Sequence, residues 1–381
     1  MIRVTVKPEM FRWARERAGF EPGALADRFP RLEAWEQGEA LPTLKQLESF
    51  AQATYTPVGY LFLPEPLVEE VPIPDFRTMG NERLGRPSAD LLDTLYLCQQ
   101  RQEWYRDYAR TEGESSLPFV GSVSLASDIE ETGARIRDAL GFDLEERRKT
   151  PTWTEALRRF IGLADDLGIL VMVSGVVGSN NRRKLDPEEF RGFALVDPLA
   201  PLVFVNGADT KAAQMFTLAH ELAHVWLGQS ALSDVAPASA PSHAVEIWCN
   251  RVAAEVLVPL AIFREEYQPE AMLGDELNRL ARRFKVSTLV ILRRIHDAGG
   301  LTADQFWREY RRELDRLRAM PTGGGGNFYL TLGARASKRF ARALVVSTLE
   351  GRSSFTEAFR LLGMKKMVTF QELGHSLGVG L

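Results

Sequence analysis

Only two cysteines, Cys98 and Cys249, occur in 381 residues. That is too few for a disulfide framework and fits a chain kept in a reducing compartment. No apolar run approaches the roughly 18 residues that read as a membrane helix. The opening stretch from Met1 to Pro8 lacks the apolar core of a signal peptide. An excess of positive charge is also missing. With 47 Lys and Arg against 51 Asp and Glu, the formal charge is −4. General attraction to nucleic acid is therefore excluded, and any DNA contact must come from a local patch. Histidine is scarce, at five residues. These absences describe a cytoplasmic globular protein, long enough for two or more domains.

Two of the five histidines fall in His220-Glu221-Leu222-Ala223-His224. No Pro or Gly interrupts the chain from Thr210 to Leu227, and Gly228 is a natural helix stop. On a helix, residues i and i+4 share one face. Two imidazoles so placed can grip one Zn²⁺ at about 2.0–2.1 Å, and the glutamate between them sits close enough to act as general base. Two histidines on a helix are often plain surface residues. Here the flanks Leu218, Leu222, Val225 and Trp226 are apolar, so the segment faces a core.

A catalytic zinc site has three protein ligands and one open position. The residues after His224 run Val225-Trp226-Leu227-Gly228-Gln229 and supply no further histidine, which excludes the metzincin pattern. The next helical stretch, Ser242 to Pro259, offers Glu246 and Glu255. Glu246 followed by Asn250 at i+4 resembles the Glu-x-x-x-Asp arrangement of thermolysin-like enzymes. There the glutamate binds metal, and the residue one turn on orients a ligand histidine. Glu246 is the favoured third ligand; Glu255 and His243 are the alternatives. Glu255 otherwise reads as a carboxylate that is exposed or caps N–H groups. For the oxyanion of an attacked carbonyl, His243 and Tyr267 are the candidate donors.

The rest of the chain divides around this motif. Residues 8–64 read as short helices, with a capped start at Pro42-Thr43. Four prolines between 64 and 74 make an extended linker. Helices are expected over 88–112, 128–140 and 152–167, and strands over 168–174, 190–196 and 201–206. The expected fold is α+β and mostly helical. It comprises a helix-turn-helix-like bundle (1–64), a linker and helical connector (65–150), a zincin-type core with a small sheet (151–300), and a C-terminal helical region (301–381). A sheet edge near Gly192–Val196 is expected to receive substrate as an added strand. Residues 276–299 look like a second helix-turn-helix, with Arg279, Arg282, Arg283, Lys285, Arg293 and Arg294 among apolar positions. They form either a DNA or partner contact or a packing pair. Gly323–Gly326 reads as a flexible break, Phe328–Leu332 as a strand, and the basic tail after it as helical.

Several landmarks occur in order: Gly192-Phe193-Ala194-Leu195-Val196, Asn206-Gly207-Ala208-Asp209, Phe216–Gly228 and Glu246–Pro259. With the N-terminal helices, they make residues 8–300 resemble the ImmA/IrrE family of metallopeptidases, in the form carrying an N-terminal Xre-type helix-turn-helix. The resemblance implies ligands His220, His224 and Glu246, base Glu221, a zinc cofactor, and a helix-turn-helix repressor as the protein cut. One departure stands out. The spacing from Leu25 to Trp35 is about one helical turn shorter than the usual Xre pattern. The shortened recognition helix predicts that residues 8–64 bind a protein rather than duplex DNA. The competing reading is a DNA-binding regulator, or the antitoxin-like half of a two-gene module, with a structural metal site. Such a site is closed by four protein ligands. Three ligands and an intact Glu221 favour an enzyme.

Overall fold

A computed structural model describes residues 3–76, 78–79, 82–83, 87–233, 243–318 and 335–380. The chain forms two compact units, one of Met1–Pro72 with Gly85–Leu95, the other of Ile73–Leu84 with Tyr96–Leu381.

In the first unit, α1 (Pro8–Arg17) opens on its proline, with Glu9 in the first turn and Arg15 and Arg17 in the last, which suits the helix dipole. It is followed by α2 (Leu32–Glu36) and α3 (Leu44–Ala53). Thr43 and Gln46 close a reciprocal capping box at the start of α3. Phe11, Phe29, Trp35 and Phe50 meet at ring distances of 5.5–6.4 Å and form the centre of this core. Arg17 is fixed by Glu69 at 2.6 Å and Asp93 at 3.4 Å. Residues 22–28, including Leu25, form turns, and α2 has five residues. The two full helices of a helix-turn-helix reader are thus not formed between Arg17 and Trp35.

The second unit begins with a short ribbon, β1 (Thr78–Met79) against β2 (Glu82–Arg83). The long helix α4 spans Ala89–Thr111. Then come α5 (Ile129–Leu140), α6 (Leu144–Lys149) and α7 (Trp153–Leu167), capped by Asp128, Asp143 and Thr152. Strands β3 (Leu170–Ser174), β4 (Gly192–Leu195) and β5 (Leu202–Asn206) lie where the apolar runs place them. Their residues are almost wholly buried, as continuous apolar runs require. Helix α8 (Lys211–Leu227) follows, then β6 (Ala231–Ser233) and α9 (Ala244–Leu257). The mixed four-stranded sheet has the order β3-β5-β4-β6, with β3 and β5 parallel and the other pairs antiparallel. This makes β4 an interior strand, so its Gly192–Leu195 backbone is already paired and is not the exposed edge that the sequence suggests.

Helix α8 packs on β4 and β5 and also against α7 and α9. Every residue from Gln214 to Leu227 is buried. The helical layer continues through α10 (Leu260–Glu266), α11 (Leu273–Phe284), α12 (Thr288–Asp297) and α13 (Ala303–Arg318). A final cluster comprises α14 (Lys338–Leu349), α15 (Phe355–Leu362) and α16 (Met367–Ser376). It is tied to the rest of the unit through the buried Asp165 carboxylate, which accepts from Ser337 Oγ at 2.6 Å and Arg339 N–H at 3.0 Å. The expected break at Gly323–Gly326 and strand at Phe328–Leu332 lie outside the described residues.

The α11–α12 pair settles into the core. Seven residues of α12 are buried, Arg294 among them. Four of the six basic residues are paired within the chain, Arg279 with Glu276, Arg283 with Glu145 and Glu266, Arg293 with Asp297, Arg294 with Glu255, while Arg282 is exposed. A recognition helix must present a free face to a groove, and α12 is occupied by packing instead.

Candidate metal centre

Thr210 caps α8 by accepting from the Ala213 N–H, and Gly228 ends it in the left-handed region at φ 77°. The uninterrupted helix between them stacks His220 and His224 one turn apart. Helix α9 crosses α8 and brings Glu246, in its first turn, to both imidazoles. His224 Nε2 lies 3.1 Å from His220 Nε2 and 3.0 Å from Glu246 Oε1. His220 Nε2 lies 3.2 Å from Glu246 Oε2.

These separations test whether a metal fits. Bonds of 2.0–2.1 Å in a tetrahedron put ligand atoms about 3.3 Å apart, close to what is seen. All three groups are buried, and they are a group of His, Cys, Asp or Glu side chains placed to hold an ion among the described residues. The protonation of Glu246 and His224 agrees. Burial would raise the Glu246 carboxyl, but the His220 charge and hydrogen bonds from both imidazoles outweigh it and hold it well below the usual carboxylate range. Burial lowers His224, which favours the neutral ring. An ionised Glu246 carboxylate and a neutral His224 ring are forms that ligate metals.

His220 is oriented from behind. Its Nδ1 lies 3.0 Å from Asn250 Oδ1, a contact that orients the ring with Nε2 toward Glu246. His224 Nδ1 has no hydrogen-bond partner among the described residues.

Glu221 is wholly buried, and among the described residues neither carboxylate oxygen makes a well-formed hydrogen bond. Burial, reinforced by the charge of Glu246, raises its pKa well above the ordinary glutamate value, while the Ser233 hydroxyl opposes the shift. Polar atoms left so in a dry interior call for an explanation in function or in a missing ion or water. A carboxyl displaced toward neutrality is suited to taking up and handing on a proton. The same burial raises the Cys249 thiol, with Glu246 and Glu221 adding to it, so this cysteine stays protonated and inert.

Two contributors were not legible beforehand. Ser233, buried on β6, places Oγ 3.4 Å from His224 Nε2. Gly192, opposite Ser233 in the ladder, lies directly against Glu221: a Cβ there would sit 3.0 Å from Glu221 Oε1 and 2.6 Å from Thr217 Cγ2. A glycine inside a strand is the signal that could have revealed this approach.

The other candidates make different contacts. Glu255 is a structural carboxylate. It pairs with Arg294 at 2.7 Å and accepts from the Leu260 N–H at 3.2 and 3.3 Å. His243 occupies the exposed N-cap of α9 without capping it through its side chain, and its ring packs on Phe76 at 4.9 Å. Tyr267 stacks on Phe263 at 5.6 Å and approaches Gly300. Its contacts lie in the helical layer and not with the His–Glu cluster.

Comparison with known proteins finds a peptidase-like domain over the segment that carries this cluster. Residues 164–296 match the peptidase M78 family model, described as the IrrE N-terminal-like domain. Residues 336–376 match a domain of unknown function, DUF8813, which coincides with the α14–α16 cluster. A curated relative, the radiation response metalloprotease IrrE of Deinococcus radiodurans, is 34% identical over 96 residues. That match spans 24% of this chain and 29% of the relative, less than a third of its length. No solved structure matches the chain. Both matches support a metalloprotease-type domain, and the family match at 164–296 covers α8 and α9. Among the described residues no helix is long and apolar enough to cross a membrane.

Proposed function

We propose that the chain is a zinc-dependent endopeptidase of the HExxH, gluzincin-like kind, acting in the cytoplasm on a helix-turn-helix transcriptional repressor and so releasing the genes it silences. The observation that carries the reading is the convergence of His220, His224 and Glu246 beside the buried Glu221. The three residues would hold the ion. When bound, zinc would polarise a peptide carbonyl and make a nearby water more acidic.

The protein's own groups do the rest. Asn250 fixes the His220 tautomer and ring plane. Glu221 accepts the proton of the attacking water and delivers it to the departing amine, a role its raised pKa suits. Gly192 leaves the space that the Glu221 carboxylate occupies. The repressor target is supported by the family resemblance and by the small helical N-terminal unit. The buried α12 argues against a DNA contact at residues 276–299.

The test is direct. Zinc-loaded protein is mixed with repressors encoded near its gene, and fragments are sought by mass spectrometry. Discrete fragments that vanish with chelator and with Glu221→Gln are expected. Fragments that persist with Glu221→Gln would rule this site out as the catalyst.

A further inference from the structure

A sheet edge normally presents unpaired N–H and C=O groups, a template for another strand. The β6 edge of this sheet is already taken. The Leu232 N–H donates to the Pro74 carbonyl at 2.9 Å, and the Phe76 N–H donates to the Leu232 carbonyl at 2.9 Å. Asp75 lies opposite Leu232 in a parallel bridge. The Phe76 ring is half-buried and rests on His243 at the head of the helix that carries Glu246. One residue beyond Leu232, Ser233 Oγ is 3.4 Å from His224 Nε2. The chain therefore lays its own residues 74–76 along the strand that borders the His–Glu cluster.

The segment is built for this. Pro72 and Pro74 preset an extended backbone, so little conformational freedom is lost on docking. Ile73–Leu84 belongs to the peptidase unit, while the residues flanking it in sequence, Met1–Pro72 and Gly85–Leu95, make up the other. It is an excursion tethered at both ends, and tethering raises its local concentration to the order of millimolar. Two backbone hydrogen bonds in a parallel pairing make a modest grip, since parallel ladders are slightly weaker per residue than antiparallel ones.

We propose that residues 73–76 are an autoinhibitory strap: they hold the β6 edge that an extended substrate needs, and the peptidase is latent until they are lifted. This rests on the endopeptidase reading above. The strap is removed in the full chain by replacing residues 73–76 with Gly-Ser-Gly-Ser, and more gently by Phe76→Pro, which deletes one donor to Leu232. Binding is measured in a Glu221→Gln background by fluorescence anisotropy, with a fluorescein-labelled peptide of residues 70–76 as the probe. Amide exchange at Leu232 is followed in parallel.

Expected are a gain of about tenfold or more in peptide affinity in both variants, faster exchange at Leu232, and restored protection when peptide is added. Zinc content and thermal midpoint identify a variant that has misfolded, and the single proline then decides. Equal peptide affinity in parent and folded variant, with unchanged Leu232 exchange, overturns the strap. Casein cleavage separates the two ideas. Opened, zinc-loaded enzyme that binds peptide tightly yet cuts nothing keeps the strap and defeats the endopeptidase reading. Parent and opened enzyme that cut equally fast defeat the strap alone.

Discussion

Gly192→Ala isolates the contact between the sheet and the proposed base. An added Cβ would lie 2.6 Å from Thr217 Cγ2, 2.8 Å from the Phe204 carbonyl oxygen and 3.0 Å from Glu221 Oε1. Carbon atoms in good contact sit about 3.5–4.0 Å apart, so the methyl–methyl overlap is roughly 1 Å. Thr217 is buried, and the Phe204 carbonyl belongs to the paired strand, so neither yields freely. Overpacking of this kind costs about 1–3 kcal/mol. A value near 2 kcal/mol is roughly a 30-fold fall in the folded-to-unfolded ratio. The strain also pushes on Glu221, and a shift of about 1 Å in a reacting group costs on the order of 100-fold in rate. Denaturant unfolding and fragment production measure the two effects separately. Gly162→Ala is the control. This mid-helix glycine of α7 has nothing within 4 Å of its would-be Cβ, and the change should stabilise by about 0.4–1 kcal/mol. A Gly192→Ala protein with unchanged midpoint and unchanged cleavage would falsify the close-approach argument.

Three further outcomes are expected. His224→Ala and Glu246→Ala should each lose zinc on dialysis, measured by plasma emission, whereas Glu221→Gln should retain it and lose about 10²–10⁴-fold in turnover; full zinc retention by both ligand variants would refute the donor set. Asn250→Ala should weaken zinc binding by roughly 10–100-fold in a chelator competition, because the His220 ring loses its orienting acceptor; parent-like affinity would remove Asn250 from that role. Arg294→Ala should destabilise by about 3–5 kcal/mol by leaving Glu255 charged and buried. Burial already raises the Glu255 pKa from 4.5. With Arg294 gone the folded pKa rises further, so the folded state holds its proton to higher pH than the unfolded chain does. The deficit should therefore shrink as pH falls from 7 toward 4.5, and a deficit that grows over that window would contradict the assignment.

The legible parts of this protein are those written in local spacing. The i, i+4 histidines, the Thr210 cap and the Gly228 stop define α8 within one short stretch of chain, because capping and face-sharing involve residues a turn apart. The i+4 relation of Glu246 and Asn250 likewise foretold a shared face, and the structure puts both on the histidines. The apolar runs located β3, β4 and β5. They did not show that β4 is interior, since strand order depends on partners far away in sequence. The three-residue β6 is too short to carry a periodicity.

Sequence alone determined the helix that carries His220 and His224 and the face that they share. Tertiary structure decided which acidic residue meets that face: Glu246 reaches the histidines, while Glu255, nine residues on along the same helix, turns to Arg294. It also decided that α12, basic and regular enough to resemble a DNA reader, is buried, and that the free edge of the sheet is closed by Pro74–Phe76. The physical reason is the same in each case. A helix cap or an i+4 pair is settled by neighbours in the chain, whereas burial, ion pairing and backbone strand pairing depend on what packs opposite, and backbone hydrogen bonds leave no side-chain signature to read.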